Sequence, residues 1–454
     1  MAGAYGRDPR PSLRLDSVDG VRVPGPLEGW LDDVQLRGVK LGLDNIRTAL
    51  ARVGNPQKRF PSILVGGTNG KGSTVAFATQ LLGSAGLRVG STVSPHLMHY
   101  RERFRIDGVI AAESRLDRLT TELRPLIDCS DGVPGITYFE LGILLALRYF
   151  QDEGVDAAVV EVGLGGEFDA SRGCDPAVAA LVSVGRDHQH ILGSDLPTIA
   201  RTKARIAPPG GVLVTAVHQS DCLEVIAEEA KAVGCQLWRL GREFEAQRTD
   251  SGFSYQGPRL SVRDVPLGPA GDHQAGNAAC ALAAVEALAT VRGTPLPTDQ
   301  GVTEALASTQ VAGRLELVPG EPGPQFLLDG AHNPEAAHCL AQELGRRPRP
   351  ERRVLLLAAM REKVREPMLE ALLPHVDQVW CTSGLTSDRF EAPGVLAEAV
   401  RARADSPPVV VTADNAREAV QRLRDELDDS AEVVVAGSLY LVGDVRRELG
   451  LPAA

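Results

Sequence analysis

Lys71 stands among four glycines, Gly66, Gly67, Gly70 and Gly72, in the stretch Ser62 to Thr74, which reads SILVGGTNGKGST. That composition suits the binding of a phosphate. Backbone N–H groups approach an anion closely where no Cβ intervenes, a helix start adds a favourable dipole, and the lysine brings a mobile cation. Gly67, Thr68, Asn69, Gly70, Lys71, Gly72, Ser73 and Thr74 therefore form one candidate cradle, and the hydroxyl of Ser73 or Thr74 can sit on Mg²⁺. The strict pattern G-x-x-x-x-G-K-[ST] is missed twice: Val65 replaces the first glycine, and Gly72 separates Lys71 from Ser73. The mechanical requirements survive both changes, an ordinary glycine-rich turn being the bland alternative.

Other groups with chemistry follow at strand ends. Glu161 comes near the end of DAAVVEV and precedes GLGGEFDAS, and Asp187-His188 follow the run Val178 to Val184. A carboxylate or imidazole just beyond the carboxyl end of a strand occupies the place where an open α/β sheet binds its ligands. Glu161 is thus the first candidate for Mg²⁺, against a merely solvated strand end. Lys203, on the helical stretch Leu196 to Ile206, reads by itself as a surface lysine. Thr137 and Glu140 fit a capping box, so Glu140 can be only a cap. Gln274 and Asn277 share one helical turn, where amides either read an adenine edge or cap a helix. In DGAHNP, Asp329 suits a ribose hydroxyl and His332 a phosphate; Arg314, in AGRLE, reaches nucleotide phosphates if two domains close.

The elements that must position these groups alternate. Ile63 to Val65 has the aliphatic run of a buried parallel strand, and the cradle leads into a helix from Ser73-Thr74 to about Ala85. Before it, Leu27 to Val53 predicts one or two helices, with Leu36, Val39, Leu41, Leu43, Ile46 and Leu50 available for a buried face. After it, Arg88 to Ser94 predicts a strand. Pro95 stops that strand, and Tyr100 to Arg105 puts charges on a loop beside the phosphate end of the sheet, or forms a solvated run. Strand and helix patterns continue to Ala232 and Leu240. An antiparallel ribbon is predicted over Phe244 to Val265, with helices at Gln274 to Thr290 and Asp299 to Ser308. From about Val311 a second alternating series begins, with strands at 325–329, 353–358, 378–381, 409–412 and 432–436, predicting a smaller parallel α/β domain that ends in Gly437-Ser438-Leu439-Tyr440.

The bulk numbers exclude several classes. A chain of 454 residues exceeds one core and predicts two or three domains. A formal charge of −11 disfavours a general nucleic-acid binder. The seven cysteines include no C-x-x-C pair, which reads as reduced thiols in a cytoplasm without a cysteine metal site. No apolar run approaches the ~18 residues of a membrane span. Residues 1 to 26, rich in Arg, Pro, Gly and Asp, predict a loose tail.

In order, GTNGKGST, SPHL with RER at 101 to 103, TYFE at 137 to 140, EVGLGG, the Asp187-His188 pair, Lys203-Ala204, HQ with Asn277, AGRLE, DGAHNP and GSLYLVG resemble the folylpolyglutamate synthase/dihydrofolate synthase family, a branch of the Mur-ligase superfamily. The resemblance runs from about residue 40 to 448 and implies an α/β fold: a phosphate-loop Mur-ligase central domain with a parallel sheet over 27–310, and a smaller Rossmann-like glutamate-ligase domain over 311–454. It implies an ATP-dependent amide ligase joining L-glutamate to a pterin-linked carboxylate, in a monomer without nucleic-acid or membrane partners. On the matching positions Lys71 would hold phosphates, and Ser73, Glu161 and His188 would ligate Mg²⁺. Lys203 would be carbamylated and help hold a second Mg²⁺. Asn277, Arg314, Asp329 and His332 would contact ATP, and Thr137, Phe139, Asp169 and Ala170 the pterin, with Ser438 also on the substrate side.

The chain departs from the family pattern at several points. Arg101 stands where Asn is usual, Glu167 where Arg is, Arg172 where Asn is, Gln189-His190-Ile191 where a Thr-Asp-Trp-like trio is, and Arg205 where Gly is. These departures leave a second reading, a ligase of the same scaffold acting on a non-folate acid; the intact Lys71, Glu161, His188 and Lys203 argue against a third, a non-catalytic nucleotide-binding regulatory paralogue.

Overall fold

The structure, a computed structural model, describes residues 25–35, 42–128, 135–249, 252–320, 322–363, 365–385, 387, 389–403 and 408–454. The tail expected over 1–26 lies outside them except for its last two residues, as do Leu36, Val39 and Leu41. Pro26 already opens a helix, Pro26–Gln35, so the expected tail overran by one residue.

Eight strands, β1 (Ser62–Gly66), β2 (Val89–Thr92), β3 (Phe104–Ile106), β4 (Val109–Ile110), β5 (Ala157–Glu161), β6 (Val178–Leu181), β7 (Val212–Thr215) and β8 (Gln236–Arg239), form one sheet in the order β4-β3-β2-β5-β1-β6-β7-β8. All pairs are parallel except those made by β3 and β4. The central strands are covered on both faces, and that is why they read as unbroken aliphatic runs. Alternation decides which side chain goes where: Leu64, Val160, Leu181 and Leu213 join the core under the helices Asp44–Arg52, Tyr138–Asp152 and Leu196–Ala204. Ile63, Val65, Val159 and Val214 face the helices Lys71–Ser84 and His273–Arg292 on the other side. The second of these is rich in buried alanines, so it lies close against its neighbour.

The predicted ribbon is three antiparallel strands, β9 (Glu245–Thr249), β10 (Gly252–Gln256) and β11 (Ser261–Val265). It is anchored by Glu286, which accepts hydrogen bonds from Tyr255 Oη at 2.6 Å and from the Arg259 and Leu260 amides. A second sheet holds β12 (Glu316–Val318), β13 (Gln325–Leu328), β14 (Arg352–Leu357), β15 (Gln378–Cys381), β16 (Val409–Thr412) and β17 (Ala431–Ala436) in the order β12-β13-β17-β14-β15-β16. Only the edge strand β12 is antiparallel to its neighbour. Its three residues are half-exposed and too few to show alternation, so it escaped the sequence reading.

Two local expectations change. The cradle's helix starts at Lys71, two residues early, because Gly70 turns the chain at φ 85 and no side chain caps the first turn. The segment Tyr100 to Arg105 is not a loop: it is a 3-10 turn, Tyr100–Arg103, running into β3, which forms a hairpin with β4 and extends the sheet.

Candidate active site

The register of the central sheet brings the chemistry together. Val65 lies opposite Glu161 and Gly66 opposite Leu181, so β1 delivers the cradle between the ends of β5 and β6. The segment after β6 then braces the loop. Thr68 N donates to Ser183 O at 3.0 Å, Asn69 N to Ser183 Oγ at 2.9 Å, and Gly185 N to Thr68 Oγ1 at 3.0 Å. Gly67, at φ 149, leaves room for that brace: a Cβ there would meet Ser183 N at 3.2 Å. At Gly70 a Cβ would run into Asn277 Oδ1 at 2.2 Å, so Asn277 sits directly over the bend. The uncapped helix start leaves N–H donors and the positive end of the dipole for an anion.

Charged side chains crowd this point. Lys71 Nζ donates to Gly67 O at 3.2 Å and Thr68 O at 3.1 Å, and Lys203 Nζ reaches the same Gly67 carbonyl at 3.1 Å. Lys203 is 5 % exposed, not the surface lysine that its helix suggested. Burial, helped by the Lys71 charge, brings its ammonium down to about 7. Burial also lowers Lys71, against the pull of Glu161 and Asp187. Glu161 accepts from Ser94 N at 2.9 Å; burial raises its carboxyl, opposed by Lys71, Ser94 and Arg314. His188 is pushed down to about 4 by burial, so its imidazole is neutral at physiological pH.

These residues fit Mg²⁺. A Cβ on Gly72 would come within 3.8 Å of Glu161 Oε2, so the carboxylate lies against the helix start that carries Ser73. Among the described residues no three His, Cys, Asp or Glu side chains gather into a cage. Mg²⁺ seldom needs one, taking one or two protein oxygens and completing its shell with water and phosphates.

The second domain closes the other wall. Asn69 and Asn333 pair their amides reciprocally at 3.1 and 2.9 Å. Asp187 accepts from Lys363 Nζ at 2.5 Å and from Asn333 Nδ2 at 3.3 Å, with His332 Nε2 at 3.4 Å. Burial opposes ionisation of Asp187, but His332 and Lys363 together hold its carboxyl well below the usual range. Arg314 packs over Gly330, near enough to Lys71 and Glu161 to act on both charges. Asp329 spends its oxygens on the amides of Leu315 and Ala331, both at 2.9 Å, and so shapes the turn that aims Arg314.

Between the domains lies a cleft of about 690 Å³. It is lined by Gly67 to Gly72, Glu161, His188, Lys203, Arg314 and His332, and also by Thr137, Phe139, Asp169, Ala170 and Ser438. Ser73, Thr74, Asn277 and Asp329 stand behind that lining. Asn277 Nδ2 is engaged by Gln274 Oε1 at 2.8 Å, and among the described residues the buried Gln274 Nε2 has no partner. Thr137 and Glu140 do form the capping box, with Thr137 Oγ1 and Glu140 Oε2 2.7 Å apart. Asp169 accepts from Leu164 N at 2.7 Å and from Ser171, holding the glycine loop after β5 against the ring of Phe139, which abuts Gly163. Ser438 caps the last helix, Leu439–Glu448, by accepting from Tyr440 N at 3.2 Å.

Two departures from the family pattern answer one another. Glu167 and Arg205 form an ion pair, and Arg205 also holds Glu229 at 3.1 Å. Arg172 donates to the Glu167 carbonyl at 2.8 Å. The charge reversal at 167 is therefore met by the arginine that replaces glycine at 205. Sequence reasoning gave no role to Lys363 and left Arg103 within a charged run beside the phosphate end of the sheet; both line the cleft. Lys363 carries no local signal, because its partner Asp187 is 176 residues away.

Comparison with known proteins is consistent over most of the chain. The family description "Mur ligase middle domain" matches residues 65–285, and "Mur ligase, glutamate ligase domain" matches residues 313–439. Dihydrofolate synthase/folylpolyglutamate synthase of Bacillus subtilis (strain 168) is 30% identical over 436 residues, 92% of this chain and 97% of that one. The structure of E. coli FolC in complex with DHPP and ADP superposes with a TM-score of 0.84 at 28% identity, over 94% of this chain and 99% of that one. The bifunctional synthase of Yersinia pestis complexed with AMPPNP and Mn ion gives 0.82 at 29% identity, over 95% and 100%.

Proposed function

The chain belongs to the folylpolyglutamate synthase/dihydrofolate synthase family of Mur ligases, and we propose from that premise how its cleft divides the work of joining L-glutamate to a pterin-linked carboxylate. It is an ATP-dependent carboxylate–amine ligase. A carboxylate is a poor electrophile, so it is first activated. One of its oxygens bonds to the γ-phosphorus of ATP while the β–γ bridging P–O bond breaks and its electron pair leaves on ADP. The neutral glutamate amine then attacks the acyl carbon, the C–O bond to phosphate breaks, and one amine proton leaves with inorganic phosphate.

In this reading Lys71 and the amides from Gly67 to Thr74 hold the β- and γ-phosphates, while Asn277, Arg314, Asp329 and His332 hold the rest of the nucleotide. Ser73, Glu161 and His188 would hold one Mg²⁺ and Lys203, as its carbamate, a second; bound there, the metal supplies charge compensation for the transferring phosphoryl group. A lysine with its pKa near 7 favours the carbamate, because the neutral amine adds to CO₂ with loss of one proton. Thr137, Phe139, Asp169 and Ala170 take the pterin, and Ser438 the incoming substrate. Residues 27–310 then form the ATP-binding domain and 311–454 the glutamate-ligase domain. Closing them excludes water from the acyl phosphate.

The observation that carries this reading is the convergence on one cleft of the cradle, the β5 and β6 ends, and Arg314 from the second domain. The pairing of Glu167 with Arg205 favours the folate acceptor over another acid, since no bare charge is reversed. We take the enzyme to act as a cytoplasmic monomer on small molecules; the described cysteines are free thiols, and no described helix is long and apolar enough to cross a membrane. With Mg-ATP and L-glutamate, dihydropteroate or tetrahydrofolate should give glutamate-dependent ADP release. No release with either pterin would hand the site to a non-folate acid.

A further inference from the structure

Among the described residues Arg103 makes no ion pair. It is 8 % exposed, on the turn that joins the segment after Ser94 to β3. Its Nε donates to His96 Nδ1 at 3.0 Å, and among the described residues its terminal nitrogens have no acceptor. His96 is a neutral acceptor for it, its imidazole held uncharged down to about 3 by burial and by Arg103 itself. The neighbouring carboxylate, Glu102, is engaged elsewhere: it accepts from the amides of Leu97, Met98 and His99 at 2.8, 3.2 and 3.0 Å. A buried arginine that served only to fasten this turn would gain most by pairing with that carboxylate. Instead the guanidinium lies 5.1 Å from the centre of the Tyr100 ring and 5.6 Å from that of Tyr138. Two aromatic faces stabilise the cation and fix its plane without consuming its donors.

The fork that remains opens into the cleft. Tyr138 stands between Thr137 and Phe139 at the start of the helix Tyr138–Asp152, on the acceptor side of the site. On its other flank Arg103 is close enough to Glu161 to act on that carboxyl's charge, as Lys71 and Arg314 do. Arg103 thus occupies the junction between the acceptor pocket and the phosphate cradle.

We propose that Arg103 binds the reactive carboxylate of the acceptor, holding it by a two-pronged hydrogen bond in line with the γ-phosphate. This deepens the ligase reading and rests on it. Two anions must meet for the first step, and Lys71 is committed to the triphosphate. A planar fork matches a carboxylate geometrically, and it also steadies the acyl phosphate until the amine arrives.

The test compares dihydropteroate with its unreactive carboxamide, which has the same shape and no charge. Calorimetric titration of the full-length enzyme with Mg-ADP should show the carboxylate bound at least about 10-fold tighter than the carboxamide. In Arg103→Gln that preference should vanish while ADP affinity stays unchanged. Arg103→Lys, which keeps a cation with one donor atom, should lose part of the preference and raise KM for the acceptor more than it lowers ADP affinity. A wild-type preference retained in either variant overturns the proposal alone, provided the wild type turns over. Failure of the wild type to bind dihydropteroate overturns it together with the ligase reading.

Discussion

Lys203 is an ammonium placed where a charge is costly, with a carbonyl and a second lysine for neighbours. Water would hold its proton; burial and the Lys71 charge loosen it, bringing the pKa down to about 7. That makes it a nucleophile toward CO₂, and the proposed carbamate would turn a repulsive neighbour of Lys71 into an attractive one. Lys203→Ala is expected to cost about 10²-fold or more in kcat with added bicarbonate unable to restore it, read as glutamate-dependent ADP release. Full activity in that variant removes Lys203 from the metal. In the sequence, spacing alone could not find this residue, because a single lysine on a helix has no pattern; only the resemblance marked it. Lys71 was legible by itself, since glycines and hydroxyls surround it. Arg103 stood in a charged run whose bland reading, a solvated face, fitted the composition equally well.

The β-strands were legible because buried parallel strands need aliphatic side chains on both faces, and that requirement writes unbroken runs such as Ile63 to Val65. The hairpin of β3 and β4 was hidden by its own brevity and by the arginines at 101, 103 and 105. What fixes that region is not propensity but Glu102, whose buried carboxylate gathers three amides. The same segment donates from Ser94 N to Glu161 and lies beneath the last helix, where Gly443 lets the Leu97 carbonyl approach and Arg447 donates to Met98 O at 3.2 Å. Glu102→Ala leaves those donors without their acceptor and is expected to lower stability by about 3 kcal/mol, measured by urea denaturation. A loss below about 1 kcal/mol would mean that water replaces the carboxylate and that the segment is not held by it.

At the scale of the molecule, the two domains meet where Leu97 and Met98 lie beneath the last helix and at a cluster of polar contacts around Asp187. Lys363, Asn333 and His332 reach it from the second domain, and the Asn69–Asn333 pair ties the cradle itself to that domain. Lys363→Met breaks the shortest of these contacts. The variant is expected to show a larger radius of gyration by small-angle scattering with ADP present, and a lower kcat with its fold intact; unchanged scattering and rate would place closure elsewhere. The order of the two domains was legible from motif order. The contacts that join them were not, because they depend on residues whose partners lie far along the chain.

The central claim is that one acceptor oxygen is carried to phosphorus and lost as phosphate when glutamate arrives. Dihydropteroate labelled with ¹⁸O in its carboxylate, turned over with Mg-ATP and L-glutamate, tests it by mass analysis of the phosphate released. The account predicts one ¹⁸O in each phosphate formed per amide bond; phosphate free of ¹⁸O, beside labelled amide product, would contradict it.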